Sequence, residues 1–130
     1  MSEPIRFWDA VEEIRRHNDH FEPEAYGFVM SVLEHTIHEL PERRHVTAVE
    51  LLDGLRRYAR ERYGIMARTV IESWGLRGTS DIGTVVFQLV DAGVLSRRDT
   101  DSREDFADVF DLYDALEKDY FYHLPEAGSM

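Results

Sequence analysis

The sequence contains no cysteine, and Lys118 is its only lysine. Without cysteine, the chain cannot form disulfides, thiolate zinc sites, iron–sulfur clusters or a cysteine nucleophile. It has no apolar run near the ~20 residues of a membrane-spanning helix, and residues 1–6 do not begin a signal peptide. We therefore expect a cytoplasmic protein that makes no contact with membranes.

The net charge of −11 repels phosphate backbones, so it disfavours nucleic acid as a partner. The charge is also uneven, because residues 43–77 carry +4 between flanks of −7 (residues 1–42) and −8 (residues 99–130). Two interpretations are open: a basic binding surface, or acidic ends that fold back over the basic middle. We favour the second.

Apolar residues at helical spacing predict five helices, over residues 4–17, 23–40, 47–63, 66–74 and 81–92. The third has the clearest start, a capping box of Thr47 and Glu50, and Gly64 is expected to end it in a left-handed conformation. Gly54 inside it costs about 1 kcal/mol relative to alanine, which predicts a close crossing with another helix. The fifth helix is apolar on most sides, so it should lie at the centre of the fold, where it cannot read bases. The first should bury Trp8, Val11 and Ile14.

Residues 94–110 have two interpretations. Apolar residues on either side of the polar residues 99–104 predict a β-hairpin, although from Phe106 to Tyr120 they also recur at helical spacing. We favour the hairpin, followed by a helix over residues 112–121 and a frayed tail over residues 124–130.

The predicted fold is therefore mainly α, with five to six helices and a small C-terminal β-hairpin. The order of three helices and a hairpin is typical of a winged-helix-like α+β fold. We predict a single domain over residues 1–130. Residues 1–42 would be a helical addition packed on a winged-helix-like module at residues 43–122.

Seven short motifs lie between residues 26 and 106: Tyr26-Gly27-Phe28-Val29, Arg44-His45-Val46-Thr47, Glu50-Leu51-Leu52, Trp74-Gly75, Asp81-Ile82-Gly83, Val86-Phe87-Gln88-Leu89-Val90 and Asp105-Phe106. In these motifs the chain resembles a conserved bacterial family of single-domain proteins of unknown function, over about residues 5–122. The resemblance implies one whole domain. It implies no activity and no functional residue.

Four arginines are the candidate contacts with a partner or with nucleic acid: Arg56, Arg57, Arg60 and Arg77. Asp53 lies four positions before Arg57, so ion pairs within the helix should neutralise part of this charge. Residues 75–78 have the GxxG form of a loop that clamps nucleic-acid backbones. Helix ends explain these glycines equally well, with Gly75 ending one helix and Thr79 capping the next, and we favour that interpretation.

Histidines form two loose groups, His35 with His38 and His17 with His20, but neither has an evident third metal ligand. No motif of hydrolases, metalloproteases, P-loop proteins or dinucleotide-binding proteins is present. We therefore predict no catalytic residue, no metal site and no cofactor.

The sequence leaves three functions open. The first is a non-enzymatic protein-interaction or regulatory module, whose partner is a protein or a second copy of the chain. The second is nucleic-acid binding through the four arginines. The third is a metal-dependent enzyme with an unfamiliar site around the histidines.

Overall fold

A computed structural model describes residues 6–42, 44, 46–96 and 103–118. All five predicted helices are present: α1 (Phe7–His17), α2 (Pro23–Glu39), α3 (Ala48–Tyr63), α4 (Ala67–Ser73) and α5 (Thr79–Asp91). A 3₁₀ turn at Gly64–Met66 joins α3 to α4. A second 3₁₀ turn, Arg103–Phe106, and a π-helical turn, Asp114–Lys118, follow α5. None of these helices is long and apolar enough to cross a membrane, as far as the described residues go.

The capping box at the start of α3 is confirmed. The Thr47 hydroxyl accepts a hydrogen bond from the Glu50 amide at 3.1 Å, and the Glu50 carboxylate accepts one from the Thr47 amide at 3.0 Å. Arg44 adds two bonds to the same carboxylate, at 2.8 and 3.1 Å. Hydrogen bonds lower the pKa of Glu50 to about 2, with the larger effect from the Arg44 guanidinium and the next from the Thr47 amide.

Gly64 ends α3 with a φ of 58° as predicted, but its ψ of −137° lies outside the left-handed helical region.

The predicted close crossing at Gly54 is confirmed, and the partner is α2. A Cβ atom added at Gly54 would collide with the Thr36 hydroxyl. Thr36 is buried and donates that hydroxyl to the Val32 carbonyl at 2.8 Å, so it cannot easily turn away. The absence of a side chain at Gly54 therefore sets the distance between α2 and α3.

Helix α5 lies in the core, as its composition predicts. Its buried residues are Thr79, Ile82, Gly83, Val85, Val86, Leu89 and Val90. Gln88, the one residue of α5 suited to reading bases, is engaged inside the protein, because its side-chain oxygen accepts the Tyr26 hydroxyl at 2.6 Å. Burial raises the pKa of Tyr26 to about 12.

The predicted β-hairpin and winged-helix-like α+β fold are wrong, because the described part of the chain is entirely helical and holds no strand. The amides that would begin the first strand end α5 instead. Val94 donates to the Leu89 carbonyl and Gly93 to the Val90 carbonyl, with Gly93 at a φ of 84°. Amides bonded in this way cannot pair with a second strand.

The second predicted strand packs on α5 as helical turns. A Cβ atom added at Gly83 would lie 2.7 Å from the Cβ atom of Phe106, so the two backbones meet with no room to spare. The Thr79 hydroxyl also accepts the Val109 amide at 3.0 Å. This hydroxyl was predicted to cap α5, but the N-cap residue is Gly78, so no side chain caps the helix.

The predicted closing helix is described as far as Lys118. Its remainder and the tail at residues 124–130 lie outside the described residues.

The Gly54 crossing predicts a specific stability effect. We expect Gly54→Ala to destabilise the protein by about 1–3 kcal/mol, because overpacking against Thr36 outweighs the ~1 kcal/mol gain in helix propensity. Adding Thr36→Ala should restore most of the loss, since it removes the colliding hydroxyl. Urea unfolding of both variants measures this, and a Gly54→Ala protein as stable as the parent would contradict it.

The capping box predicts a pH dependence. Because the pKa of Glu50 is lowered to about 2 in the folded state, its contribution to stability is fully present above its unfolded value of about 4.3. That contribution is lost as the pH falls toward 2. The stability difference between the parent and Glu50→Gln should therefore be largest at neutral pH and shrink between pH 4.3 and 2. Glu61→Gln removes the same charge from an exposed site on α3 as a control. A difference that is constant with pH would refute the assignment.

Candidate functional site

The arginines predicted as contacts on α3 are bonded to carboxylates. Arg56 contacts Asp53 at 2.8 Å, and Arg57 contacts both Asp53 and Glu39 of α2 at 3.1 Å. Hydrogen bonds that Asp53 accepts from Arg56 and then Arg57 lower the pKa of Asp53, and those that Arg57 donates to Glu39 and then Asp53 raise the pKa of Arg57. Of these pairs, the one between Arg57 and Glu39 joins α3 to α2, whereas Asp53 lies on α3 itself. The half-buried Arg60 lies on the same helix.

Arg77 lies apart from α3, in the loop that precedes α5. It borders a hollow of about 510 Å³ that also contains Asp81, Asp108 and Asp111. Its amide donates to the Asp81 carboxylate at 2.8 Å. The GxxG loop is explained by the helix ends, because Gly75, at a φ of 101°, ends α4 and Gly78 begins α5.

The uneven charge of the sequence is accounted for in part by ion pairs between its segments. Arg57 of the basic middle pairs with Glu39 of the acidic N-terminal flank, and Arg68 pairs with Glu117 of the acidic C-terminal flank at 3.0 Å. Arg68 also lies over the Tyr113 ring, 5.5 Å from its centre. Among the described residues, one ion pair therefore links each acidic flank to the basic middle, in line with the interpretation that we favour.

A groove of about 500 Å³ lies between α1, α2, α3 and the end of α4, and we call it the aromatic groove. Six aromatic side chains line it: Phe7, Trp8, Phe28, Tyr58, Tyr63 and Trp74. Its other lining residues are Glu24, Gly27, Met30, Ser31, Glu34, Arg62 and Val94. A concave surface of this size with few polar groups is typical of a binding site.

Helix α2 forms the floor of the aromatic groove. Gly27 and Ser31 lie one turn apart at its centre, and both are small, so the floor lies below the flanking aromatic side chains. Trp8 covers Gly27, since a Cβ atom added there would lie 2.9 Å from the tip of the Trp8 indole. Trp8 is nevertheless 56% exposed, and the prediction that it belongs to the core is wrong.

The wall opposite Trp8 is a connected set of rings. Phe28, buried at the edge of the floor, contacts Tyr58, Tyr63 and Trp74 with ring centres 5.4–6.2 Å apart. Tyr63 and Trp74 meet edge to face at 6.0 Å. Contacts of this geometry stabilise each other, so the wall is held in shape before any ligand binds.

The three charged residues that line the groove, Glu24, Glu34 and Arg62, differ in the contacts that they make. The Arg62 guanidinium lies over the Tyr58 ring at 5.4 Å, and the Tyr63 hydroxyl beside it raises the pKa of Arg62. Glu24 and Glu34 are exposed and form no ion pair with another described residue. The carboxylates of the groove are therefore free to meet a cation, whereas its guanidinium already lies against aromatic rings.

Sequence analysis missed this site for an identifiable reason. Gly27, Ser31 and Glu34 follow one another at helical spacing on α2, opposite the buried stripe that contains Tyr26 and Val29. A small and polar helix face is also what ordinary solvent-exposed surface presents, so this pattern alone does not predict a groove. The adjacent Phe7 and Trp8 were a signal, because neighbouring residues on a helix point in different directions.

The histidines do not form a metal site within the described residues, where no group of three or more metal-ligating side chains occurs. His17 lies 3.1 Å from Glu13, and His35 lies 3.4 Å from Glu39. The His20 ring contacts Phe21 edge to face. Each of these contacts is an ordinary surface interaction.

The contact between Gly27 and Trp8 predicts that Gly27→Ala moves the Trp8 indole without unfolding the protein. Trp8 is 56% exposed, so its indole can swing away from Gly27, and alanine gains up to ~1 kcal/mol of helix propensity, so stability should be unchanged or higher. Of the two indole N–H signals in a ¹H–¹⁵N NMR spectrum, that of Trp8 should shift more than that of Trp74. Gly78→Ala, which meets nothing within 4 Å, is the control. An unmoved Trp8 signal would argue against this geometry.

No protein family, no curated protein and no solved structure matches the chain. The resemblance to a conserved bacterial family therefore stays a prediction, and the function has to be argued from the groove itself.

Proposed function

We propose that the protein is a non-enzymatic interaction module that binds a protein partner in the aromatic groove. One observation carries the proposal: Trp8 is 56% exposed, and it stands beside five further aromatic side chains around one concave surface. An exposed tryptophan beside a concave surface lined with partly buried aromatic rings is typical of an interaction site.

The composition of the groove supports a protein as the partner. Trp, Tyr and Arg are the residues that most often dominate the binding energy of protein interfaces, and the groove contains two tryptophans, two tyrosines and Arg62. The ring contacts that hold its wall in place also lower the entropy cost of binding. We keep a cytoplasmic location as a prediction.

The alternative functions have less support. Arg56 and Arg57 are bonded to carboxylates, and Gln88 of α5 is bonded to Tyr26, so these three residues are engaged within the chain. Arg77 is exposed, but it lies apart from α3 in a hollow that also contains three aspartates, which disfavours a phosphate there. A metal-dependent enzyme has no support from the described part of the chain, because no group of three or more metal-ligating side chains occurs there.

Photocrosslinking tests the proposal in the cells that express the protein. A photoreactive phenylalanine analogue at position 8 should form a discrete adduct with a partner protein, or with a second copy of the chain. The same analogue at position 49 is the control, because Val49 is 63% exposed on α3 and lies outside the groove. Equal adducts at both positions, or none at position 8, would overturn the proposal.

Competition measures the role of Trp8 itself. An excess of the unlabelled parent protein should abolish the adduct. The Trp8→Ala variant should compete roughly 30-fold less well, because truncation of a central interface tryptophan costs about 2 kcal/mol or more. Thermal unfolding checks that this variant is folded. Equal competition by parent and variant would exclude Trp8 from the interface.

A further inference from the structure

The chemistry of the aromatic groove narrows the kind of partner, and the inference rests on the function proposed above. We infer that the groove binds a proline-rich segment of its partner in the polyproline II conformation, next to a basic residue. Segments of this kind are recognised by grooves lined with aromatic rings. Three properties of the groove support this over other modes of peptide binding.

The first property is the lining. Six side chains are aromatic, and Met30 and Val94 are the only aliphatic ones named in it among the described residues. An amphipathic helix inserts aliphatic or aromatic anchors into apolar pockets, whereas flat rings offer faces against which proline rings pack. A partner strand would need a free sheet edge, and the described residues contain no sheet.

The second property is hydrogen bonding. The indole N–H groups of Trp8 and Trp74 donate to no other described residue, so the groove has donors to offer. A polyproline II segment has carbonyl groups without internal partners, and its prolines have no N–H group. An ordinary extended segment brings an N–H donor at each residue, and a donor that faces an aromatic ring instead of water or a carboxylate is left unsatisfied, at a cost of about 1–3 kcal/mol.

The third property is charge and length. Glu24 and Glu34, exposed and ten positions apart on α2, are separated by about 15 Å along the helix axis. At about 3.1 Å per residue, this length holds roughly five residues in the polyproline II conformation. Either carboxylate can then meet an arginine or lysine that flanks the prolines.

A second copy of the chain does not fit this description. Its four prolines are Pro4, Pro23, Pro41 and Pro125, and no two of them lie close together in the sequence. The occupant should therefore be a different protein.

Selection from a library of random peptides tests the inference. Peptides displayed on phage are selected on the full chain, and peptides that bind the Trp8→Ala variant equally well are removed. We expect the enriched sequences to share two prolines in a PxxP arrangement and a flanking arginine or lysine. Enrichment of amphipathic helical peptides, of acidic peptides or of none would overturn the inference.

Two measurements on a synthetic enriched peptide test the recognition chemistry. Replacing a conserved proline with alanine should weaken binding, whereas replacing it with N-methylglycine, which also has no backbone N–H, should preserve most of the affinity. Glu34→Lys should weaken binding roughly two- to fivefold, and less at high salt. Glu61→Lys, the same change outside the groove, should have no such effect. Equal losses for both proline replacements would refute recognition through the missing N–H.

These results separate the two proposals. If crosslinking at position 8 identifies a partner but the selected peptides lack proline, the interaction module stands and its proline-rich ligand is wrong. If the protein forms dimers through the groove in light scattering, the inference of a different partner is also wrong. If neither crosslinking nor selection detects binding that depends on Trp8, both proposals fail.

Discussion

Helices α2 and α3 meet at Gly54 and Thr36 with no room for a side chain at position 54. This contact sets the distance between α2 and the part of α3 that carries Tyr58, one turn after Gly54. With α3 held so close, Tyr58 and Tyr63 reach over the edge of α2 and contact Phe28. The position of the wall that Tyr58 and Tyr63 form therefore depends on Gly54, which lies on the same helix.

Electrostatics reinforce the same contact. Glu39, at the end of α2, pairs with Arg57 one helical turn beyond Gly54. Because this pair is exposed, its contribution to stability is small. Arg56 and Asp53 extend it into a network that lies on α3 itself. Two of the arginines that the sequence offered as contacts with nucleic acid are therefore bonded to carboxylates of the same chain.

The fold could be predicted from the sequence where the determinants are local. Thr47 and Glu50 mark the start of α3, and the apolar composition of α5 places it in the core. The hairpin failed because the local pattern after α5 suits a strand, whereas Gly93 and Val94 are used in ending α5. The place of Phe106 depends on the space at Gly83, a tertiary contact that no local pattern contains.

The groove could not be predicted because it depends on how α1 crosses α2. The sequence shows Phe7 and Trp8 on an amphipathic helix, but the direction in which Trp8 points depends on Gly27, far along the chain. A domain of this size could have buried an indole, and full burial of a large apolar side chain is worth about 1.5–3 kcal/mol. Instead, Trp8 lies on the surface beside rings that are already packed together. Natural proteins tolerate such exposure singly, but the concentration of aromatic rings around one groove needs a reason beyond stability. The partner binding that we propose would supply that reason, because the exposed face of Trp8 would become buried when the groove is filled.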